Sequence, residues 1–594
     1  MVPKQRSRRT QVLLSIVILS TSVLFPRDRS PASLVLAEPF ASAQRFQQAF
    51  PSLQYKEPLS EARWVVRAYY HDRQMIADLA AWREPWEVHH AQGYVVLDVN
   101  RAEFERLASA GFRLEIDARL TAALNAWSAP LPGQNTGIPG FACYRTVEET
   151  FAAAEAIVAE HPTLAAWSDI GDSWEKWTAG GQPGYDLMVL RLTNSGIPGP
   201  KPKLFAMASI HAREYAPAEL LVRFAEHLVS HYAVDADVTW LLDYHEIHLL
   251  LQANPDGRKW AETGLYWRKN TDNNHCADTD WRGVDLNRNF DFQWGCCGGS
   301  SFERCSEVYR GPAAASEPET KAVQDYLRAH FPDRREPELS AAAPITTSGV
   351  FLDIHSYSEL VLWPWGSIEA PAPNGRALQT LGRKFAFFNK YRPQQASELY
   401  PADGTSDGFA YGELGLASYT FELGTRFFQY CDTFENTILP DNVAALTYAA
   451  KVARTPYVTP TGPDVIGVSV VPGTAALGES VQLSATIDDT RYSALNGLEP
   501  TQRIVAAEYY LDTPPWVPEK GAAPYALAPS DGDFDHEIES VRGVLDTTGL
   551  APGRHTLFVR GRDADGNWGA FTAAFVDVFP LPDSYFLPLV LSGR

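Results

Sequence analysis

A chain of 594 residues is too long for one hydrophobic core and should divide into three or four units at about 100 to 200 residues each. Its 45% apolar and 12% aromatic content is that of an ordinary globular protein. The net charge of −21 excludes nucleic acid and anionic membrane surfaces as natural partners, because neither is attracted to an acidic surface.

In chain order, Lys4, Arg6, Arg8 and Arg9 come first, followed by an apolar stretch over 12–25 and small residues over 32–37. That is the order of a secretory leader, and the apolar part is too short to span a bilayer comfortably. We therefore expect a leader over 1–37, a secreted or extracellular location, and no membrane span in the mature form. Six cysteines, an even number, suit an oxidising compartment. Cys276, Cys296, Cys297 and Cys305 crowd together, whereas Cys143 and Cys431 stand alone and could tie two distant ends of one domain. The pairing is open, since six cysteines allow fifteen connectivities.

Residues 38–135 hold the strand-like runs "RWVVRAYY", "GYVVLDVN" and "FRLEID", interleaved with helical patterns near 75–82 and 101–110. This predicts a small α+β unit followed by the linker "SAPLPGQNTGIPG", exposed and cleavable. From 140 to 457, apolar strands such as "PKLFAMASI", "GVFLDIHSYS" and "ASYTFELG" alternate with helical patterns. That alternation predicts an α/β domain with a mixed sheet covered by helices, its chemistry at strand ends. Over 458–578 the period-two runs "VQLSATI", "IVAAEYYLD" and "HTLFVRGRD" predict an antiparallel β-sandwich. The apolar tail 579–594 is too short for a membrane helix.

Within the α/β region, "SIHAREYAPAEL" places His211 three positions before Glu214, with Pro217 starting the next helix. Chance supplies about two such pairs in a chain of this composition, so the pair gains meaning only from its company. A catalytic zinc takes three protein ligands and leaves a position for water. His355, at the end of another apolar strand, can be the third. In the rival cluster "YHEIH", His245 and His248 would face opposite sides of a strand and could not share a metal. His275 beside Cys276 hints at a mixed site, although a disulfide is the more natural fate of that cysteine. Glu422, closing the apolar strand "SYTFELG", is a candidate base whose pKa burial would raise.

The stretches "HAREYAPAE", "NPDG", "YWRKN", "GVDLNRNF", "YRGPAAASEPE", "FLDIHSYS" and "SYTFELG" occur in the order and at nearly the spacing of zinc metallocarboxypeptidases of the pancreatic A/B type, peptidase family M14. The chain most resembles their bacterial secreted members, over about 140–455. The resemblance implies one zinc ion bound by His211, Glu214 and His355, with Glu422 as the base that takes a proton from the attacking water. It implies Arg268 as the oxyanion stabiliser. It also implies Asn287 and Arg288 as readers of a free C-terminal carboxylate, Tyr400 as the tyrosine that closes over the terminal residue, and Arg213, Ser356 and Tyr357 as the lining of the adjacent subsite. Asp407 falls where relatives that prefer Lys or Arg ends carry an aspartate; Thr405 and Gly408 depart from the animal enzymes, and broad specificity is the alternative. The first α+β unit resembles the family's inhibitory propeptide in position and size, which implies a zymogen. Two other functions compete. One is a related hydrolase of peptidoglycan stem peptides, disfavoured by Arg268, Asn287, Arg288 and Tyr400 together. The other is a non-catalytic binding protein, disfavoured by the complete ligand set and Glu422. The sandwich could contact carbohydrate or a cell surface, with Trp568 the candidate platform and a core or turn position its plainer role.

Overall fold

The computed structural model describes residues 63–125, 129–278, 281–517 and 522–580. The leader expected over 1–37, and the tail expected from 579 apart from its first two residues, lie outside them.

The first unit is a four-stranded antiparallel sheet of β1 (Trp64–Tyr69), β2 (Glu87–His89), β3 (Tyr94–Val99) and β4 (Arg113–Ile116), in the order β2-β3-β1-β4. Val66, Ala68, Val95 and Leu97 alternate onto one face and bury against Ile76, Leu79 and Leu107 of two helices, Gln74–Ala80 and Arg101–Ser109. Asn100 and Glu103 form a reciprocal capping box that fixes where the second helix starts. The linker is exposed only as far as Thr136. From Gly137 it is packed: Ile138 is buried and the Gly137 N–H donates to Glu149.

The central domain holds a mixed sheet of β5 (Ala165–Asp172), β6 (Asp186–Leu192), β7 (Lys203–Ala208), β8 (Glu246–Leu250), β9 (Val350–His355), β10 (Leu360–Trp363), β11 (Arg392–Gln395) and β12 (Ala417–Glu422), in the order β11-β10-β12-β9-β7-β8-β6-β5. The three central strands β12, β9 and β7 run parallel. Their alternating side chains feed two cores. Leu204, Ala206, Leu352 and Ile354 meet the helices Tyr215–His231, Gly375–Asn389 and Leu439–Val452 on one face. Phe205, Met207 and Phe351 meet the helices Pro318–His330 and Ser406–Gly412 on the other. Leu220, Leu221, Phe224 and Leu228 of Tyr215–His231 are fully buried. At about 1.5–3 kcal/mol for each large apolar side chain, packing outweighs the few tenths contributed by helix propensity. Pro217 does not start this helix as expected; the helix begins at Tyr215, and Pro217 sits in its first turn, where a missing N–H breaks no intrahelical bond.

Eight strands between Asp464 and Phe579 bury one shared core, including Val465, Ile487, Tyr509, Val541 and Val576. All pairings are antiparallel except that of Thr474–Ala476 with Thr572–Phe579. Trp568 is half-buried, with the Arg560 guanidinium 4.2 Å from its ring centroid.

Candidate metal centre

The site grows out of the parallel strands β7, β9 and β12. Because β9 lies between the other two, their C-terminal ends emerge side by side. His355 ends β9, and its Cα partner across the ladder is Glu422, which ends β12. His211 follows β7 by a short turn in which Ser209 adopts a positive φ of 58°. Asn254 of the "NPDG" motif ties that turn down, donating to Ile210 O at 3.1 Å and Lys269 O at 3.0 Å. Buried Arg258 of the same helix donates to the carbonyls of Glu214, at 2.7 Å, and Tyr215, at 3.2 Å.

The ligand atoms of His211, Glu214 and His355 lie within 4.8 Å of one another, and all three residues are buried. His211 Nδ1 is 2.8 Å from Glu214 Oε1 and 3.1 Å from His355 Nδ1. His355 Nδ1 is 3.2 Å from Glu214 Oε2. The outer nitrogens face carboxylates: His211 Nε2 is 3.3 Å from Asp285 and His355 Nε2 is 3.0 Å from Asp353. With a proton on each outer nitrogen, both Nδ1 lone pairs and the Glu214 carboxylate converge on one point. Two imidazoles and a carboxylate are the donor set of a catalytic zinc site, so these residues fit the ion that the resemblance implies.

Burial alone would raise the Glu214 carboxyl, but the two imidazoles beside it hold it below the usual carboxylate range. Burial lowers His355, yet Asp353 and Glu214 outweigh that and hold it well above an ordinary histidine. Glu422, half-buried at its strand end, behaves in the opposite way. Removal from water pushes its carboxyl up to about 8, against the attraction of His355, and Glu214 and Glu84 reinforce the rise. A cation held by the triad would draw it back down by favouring the charged form.

Arg268 donates to Asp285 through Nε at 3.0 Å and Nη2 at 2.9 Å, and its Nη1 lies 3.2 Å from His211 Nδ1. Arg288 is buried, donating from Nε to Gly299 O at 2.9 Å and from Nη1 to Asn287 O at 2.8 Å. Asn287 accepts the Ser406 N–H at 2.9 Å, with its Nδ2 3.4 Å from His355 Nε2. Ser356 N–H donates to Glu214 at 3.1 Å, and the Tyr357 hydroxyl donates to Glu87 of the first unit at 2.9 Å. Asp407 is buried at the start of Ser406–Gly412, and burial raises its carboxyl. No cationic side chain pairs with Asp407 among the described residues.

One feature of the site was not anticipated from the sequence. Glu84 reaches in from the first unit and accepts bonds from Arg213 at 2.7 Å, from Tyr400 at 3.1 Å and from Arg268. Its backbone N–H and Arg213 Nη1 both donate to Glu307, at 3.2 and 2.8 Å. Trp86 stacks on Tyr266 with centroids 5.7 Å apart. The first unit and the central domain together wall a cavity of about 790 Å³ lined by His89, Tyr357 and Phe427 among others, which reaches Tyr357 but none of the three metal-ligand candidates. Asp285 and Asp353 were also missed; Asp353 could have been found, because it stands two positions before His355 and so shares its strand face. His245 precedes β8 rather than lying in it, and buried His248 bonds Tyr326 at 2.6 Å, so neither joins the metal group. Cys276 pairs with Cys305, Cys143 with Cys431 and Cys296 with Cys297.

The chain matches the zinc carboxypeptidase family, Peptidase M14, over residues 151–443. It is 33% identical over 332 residues to a zinc carboxypeptidase of Saccharothrix mutabilis subsp. capreolus, covering 53% of this chain and 71% of that protein. It is 31% identical over 338 residues to carboxypeptidase A1 of Rattus norvegicus, covering 53% and 72%. Among solved structures it is similar in fold to carboxypeptidase A from Helicoverpa armigera, with a TM-score of 0.54 at 21% identity over 66% of this chain and 98% of that one.

Proposed function

From the premise that this chain belongs to the zinc carboxypeptidase family, we propose that it removes single residues from the C-termini of peptides and proteins. We propose further that it is made as a secreted zymogen and prefers C-terminal Lys or Arg. The observation that carries the first reading is the convergence of His211 Nδ1, His355 Nδ1 and Glu214 beside Glu422, with Arg268 at their rim.

His211, Glu214 and His355 would hold zinc, which supplies polarisation of the scissile carbonyl and acidification of water. Glu422 takes the proton of the attacking water and delivers it to the leaving amine, so one carboxylate serves first as base and then as acid. Arg268, oriented by Asp285, presents a guanidinium to the oxygen on which negative charge grows. Arg288 and Asn287 read the free terminal carboxylate, which limits attack to the last bond. Tyr400 closes over the terminal residue, and Arg213, Ser356 and Tyr357 line the next subsite. Asp407, a buried carboxylate with no cationic partner among the described residues, supports a pocket that favours a positive terminal side chain.

Zymogen behaviour is supported by Glu84, whose carboxylate takes up donors of Arg213, Arg268 and Tyr400 that a substrate would need. The exposed stretch 129–136 offers the cleavage point. The three disulfides favour an oxidising location.

The test is to nick the full chain in that stretch, supply zinc, and offer peptides differing only in the last residue, with and without a chelator. Release of one terminal residue, abolished by chelation and fastest for Lys and Arg, is expected, and Glu422→Gln should keep zinc but lose at least about a hundredfold in kcat. Chelator-insensitive release, or none, overturns the exopeptidase reading; equal rates for Lys, Leu and Phe overturn the role of Asp407.

A further inference from the structure

Arg288 is held from behind by a loop that the catalytic reading does not use. Its Nε donates to the carbonyl of Gly299 at 2.9 Å. That carbonyl belongs to the segment following the bonded neighbours Cys296 and Cys297, which is in no regular element. The segment is pinned by one carboxylate. Asp403 Oδ2 accepts the N–H groups of Cys297 at 2.9 Å and Gly299 at 3.0 Å, and Oδ1 accepts the Ser300 hydroxyl.

Asp403 is 1% exposed and pairs with no cation among the described residues. An ionised carboxylate is acceptor-only, and three donors converging on it compensate its burial. The same residue stands three positions after Tyr400 in the chain, so the loop carrying the closing tyrosine and the loop backing Arg288 meet at Asp403. Backbone packing leaves little slack in the arrangement. A Cβ on Gly299 would come within 2.5 Å of Ala402 Cα, and one on Gly404 within 2.4 Å of the Arg288 carbonyl. Phe290 N–H also donates to Gly404 O at 3.0 Å.

We propose that Asp403 is a positioning residue for recognition of the substrate's terminal carboxylate: by ordering the Cys297–Ser300 segment it presents Gly299 O to Arg288 and fixes where the guanidinium points. Its side-chain hydrogen bonds go to Cys297, Gly299 and Ser300 and to none of His211, Glu214 and His355. The inference rests on the exopeptidase reading, in which Arg288 binds that carboxylate.

The consequence is specific to one part of the substrate. Loss of Asp403 should weaken binding of ligands that carry a free carboxylate and spare those in which it is an amide. The test uses the nicked full chain with zinc, as wild type, Asp403→Asn and Asp403→Ala, on a matched peptide acid and peptide amide. A product pair, an N-acetylated amino acid and its amide, serves as competitive ligands. We expect KM for the peptide acid to rise at least tenfold in Asp403→Ala with kcat within threefold. The ratio of kcat/KM for acid over amide should fall by a similar factor, and the acetylated amino acid should lose affinity while its amide does not. Asp403→Asn should fall between the two, because its carbonyl can still accept the two N–H groups while its amide cannot accept the hydroxyl.

A fall shared equally by acid and amide would mean general loosening and overturn the inference, as would an unchanged ratio. Wild type that cleaves acid and amide alike would instead overturn the reading of Arg288, and the inference with it.

Discussion

Glu84 and the two arginines around it form an almost fully desolvated cluster. Burial would raise the Glu84 carboxyl, yet Arg268 and Arg213 outweigh it and keep the group charged. Removing Glu84 takes away the carboxylate that both arginines share and that ties them to the first unit, while Arg213 keeps Glu307 and Arg268 keeps Asp285. Glu84→Ala should therefore loosen the first unit from the site. The intact chain is expected to gain activity on small peptides by at least about tenfold, the equivalent of ~1.4 kcal/mol, while the nicked enzyme keeps its wild-type rate. An intact variant as silent as the intact wild type would deny Glu84 its inhibitory role. At this scale the sequence was informative where residues stand in motifs that recur in a fixed order along the chain: His211, Glu214, His355 and Glu422 could be named as candidates before any coordinates. Glu84 could not, because "REPW" carries no pattern and its partners, Arg213, Arg268 and Tyr400, lie far along the chain. Asp285 was equally hidden, since an aspartate near an arginine reads as one more surface charge until the sheet brings His211 beside it.

Strands and helices were legible where period and punctuation agreed. "FLDIHSYS" reads as a strand because Phe351, Asp353 and His355 alternate with Leu352 and Ile354, and the structure places β9 there. What local pattern cannot supply is register, and register is what sets His355 opposite Glu422. Helix starts carry another hidden feature. Asp256, Glu317 and Glu319, at the starts of Pro255–Ala261 and Pro318–His330, are buried together around Ser173, Trp174 and Asn270. Burial pushes Asp256 and Glu317 up to about 7 and raises Glu319 well above its usual range. A carboxyl raised on folding stabilises the fold fully below its unfolded value near 4, and that contribution is lost as pH rises through the folded value near 7. The thermal midpoint should thus fall between pH 5 and pH 8, and Glu317→Gln should reduce that fall by about 2 °C or more in scanning calorimetry. An identical pH slope in the variant would remove Glu317 from the account.

At the scale of the whole molecule, the sandwich is built into the catalytic domain rather than tethered to it. Buried Lys384, on the helix Gly375–Asn389, pairs with Asp464 at 3.0 Å, and Arg383 pairs with buried Glu499 at 2.6 Å. Trp516 packs against Trp240 and Tyr244 of the catalytic domain, at 5.7 and 5.9 Å between ring centroids. Neither the charges nor the aromatic contacts can be read from a sequence that only announces a change of periodicity near 458, because each pair joins residues from different domains. Asp464→Asn would leave buried Lys384 without its ion-pair partner and with the Tyr492 ring, 4.1 Å from its Nζ, as partial compensation, a cost of up to about 3–5 kcal/mol. Urea unfolding should show both domains losing stability in that variant; a loss confined to the sandwich would mean that the interface transmits little.

Under the zymogen reading proposed above, the bond between Cys143 and Cys431 acquires its meaning at the moment of activation. Cutting at 129–136 makes a new chain start a few residues ahead of Cys143, and loose chain starts are where domains fray and where other proteases find a grip. Here that start is soldered to the segment just after the strand that ends in Glu422, so the fresh end cannot be drawn out without carrying the catalytic floor with it. If the chain is activated by cleavage as proposed, the enzyme so produced would in this way be shielded from being consumed by the same kind of event.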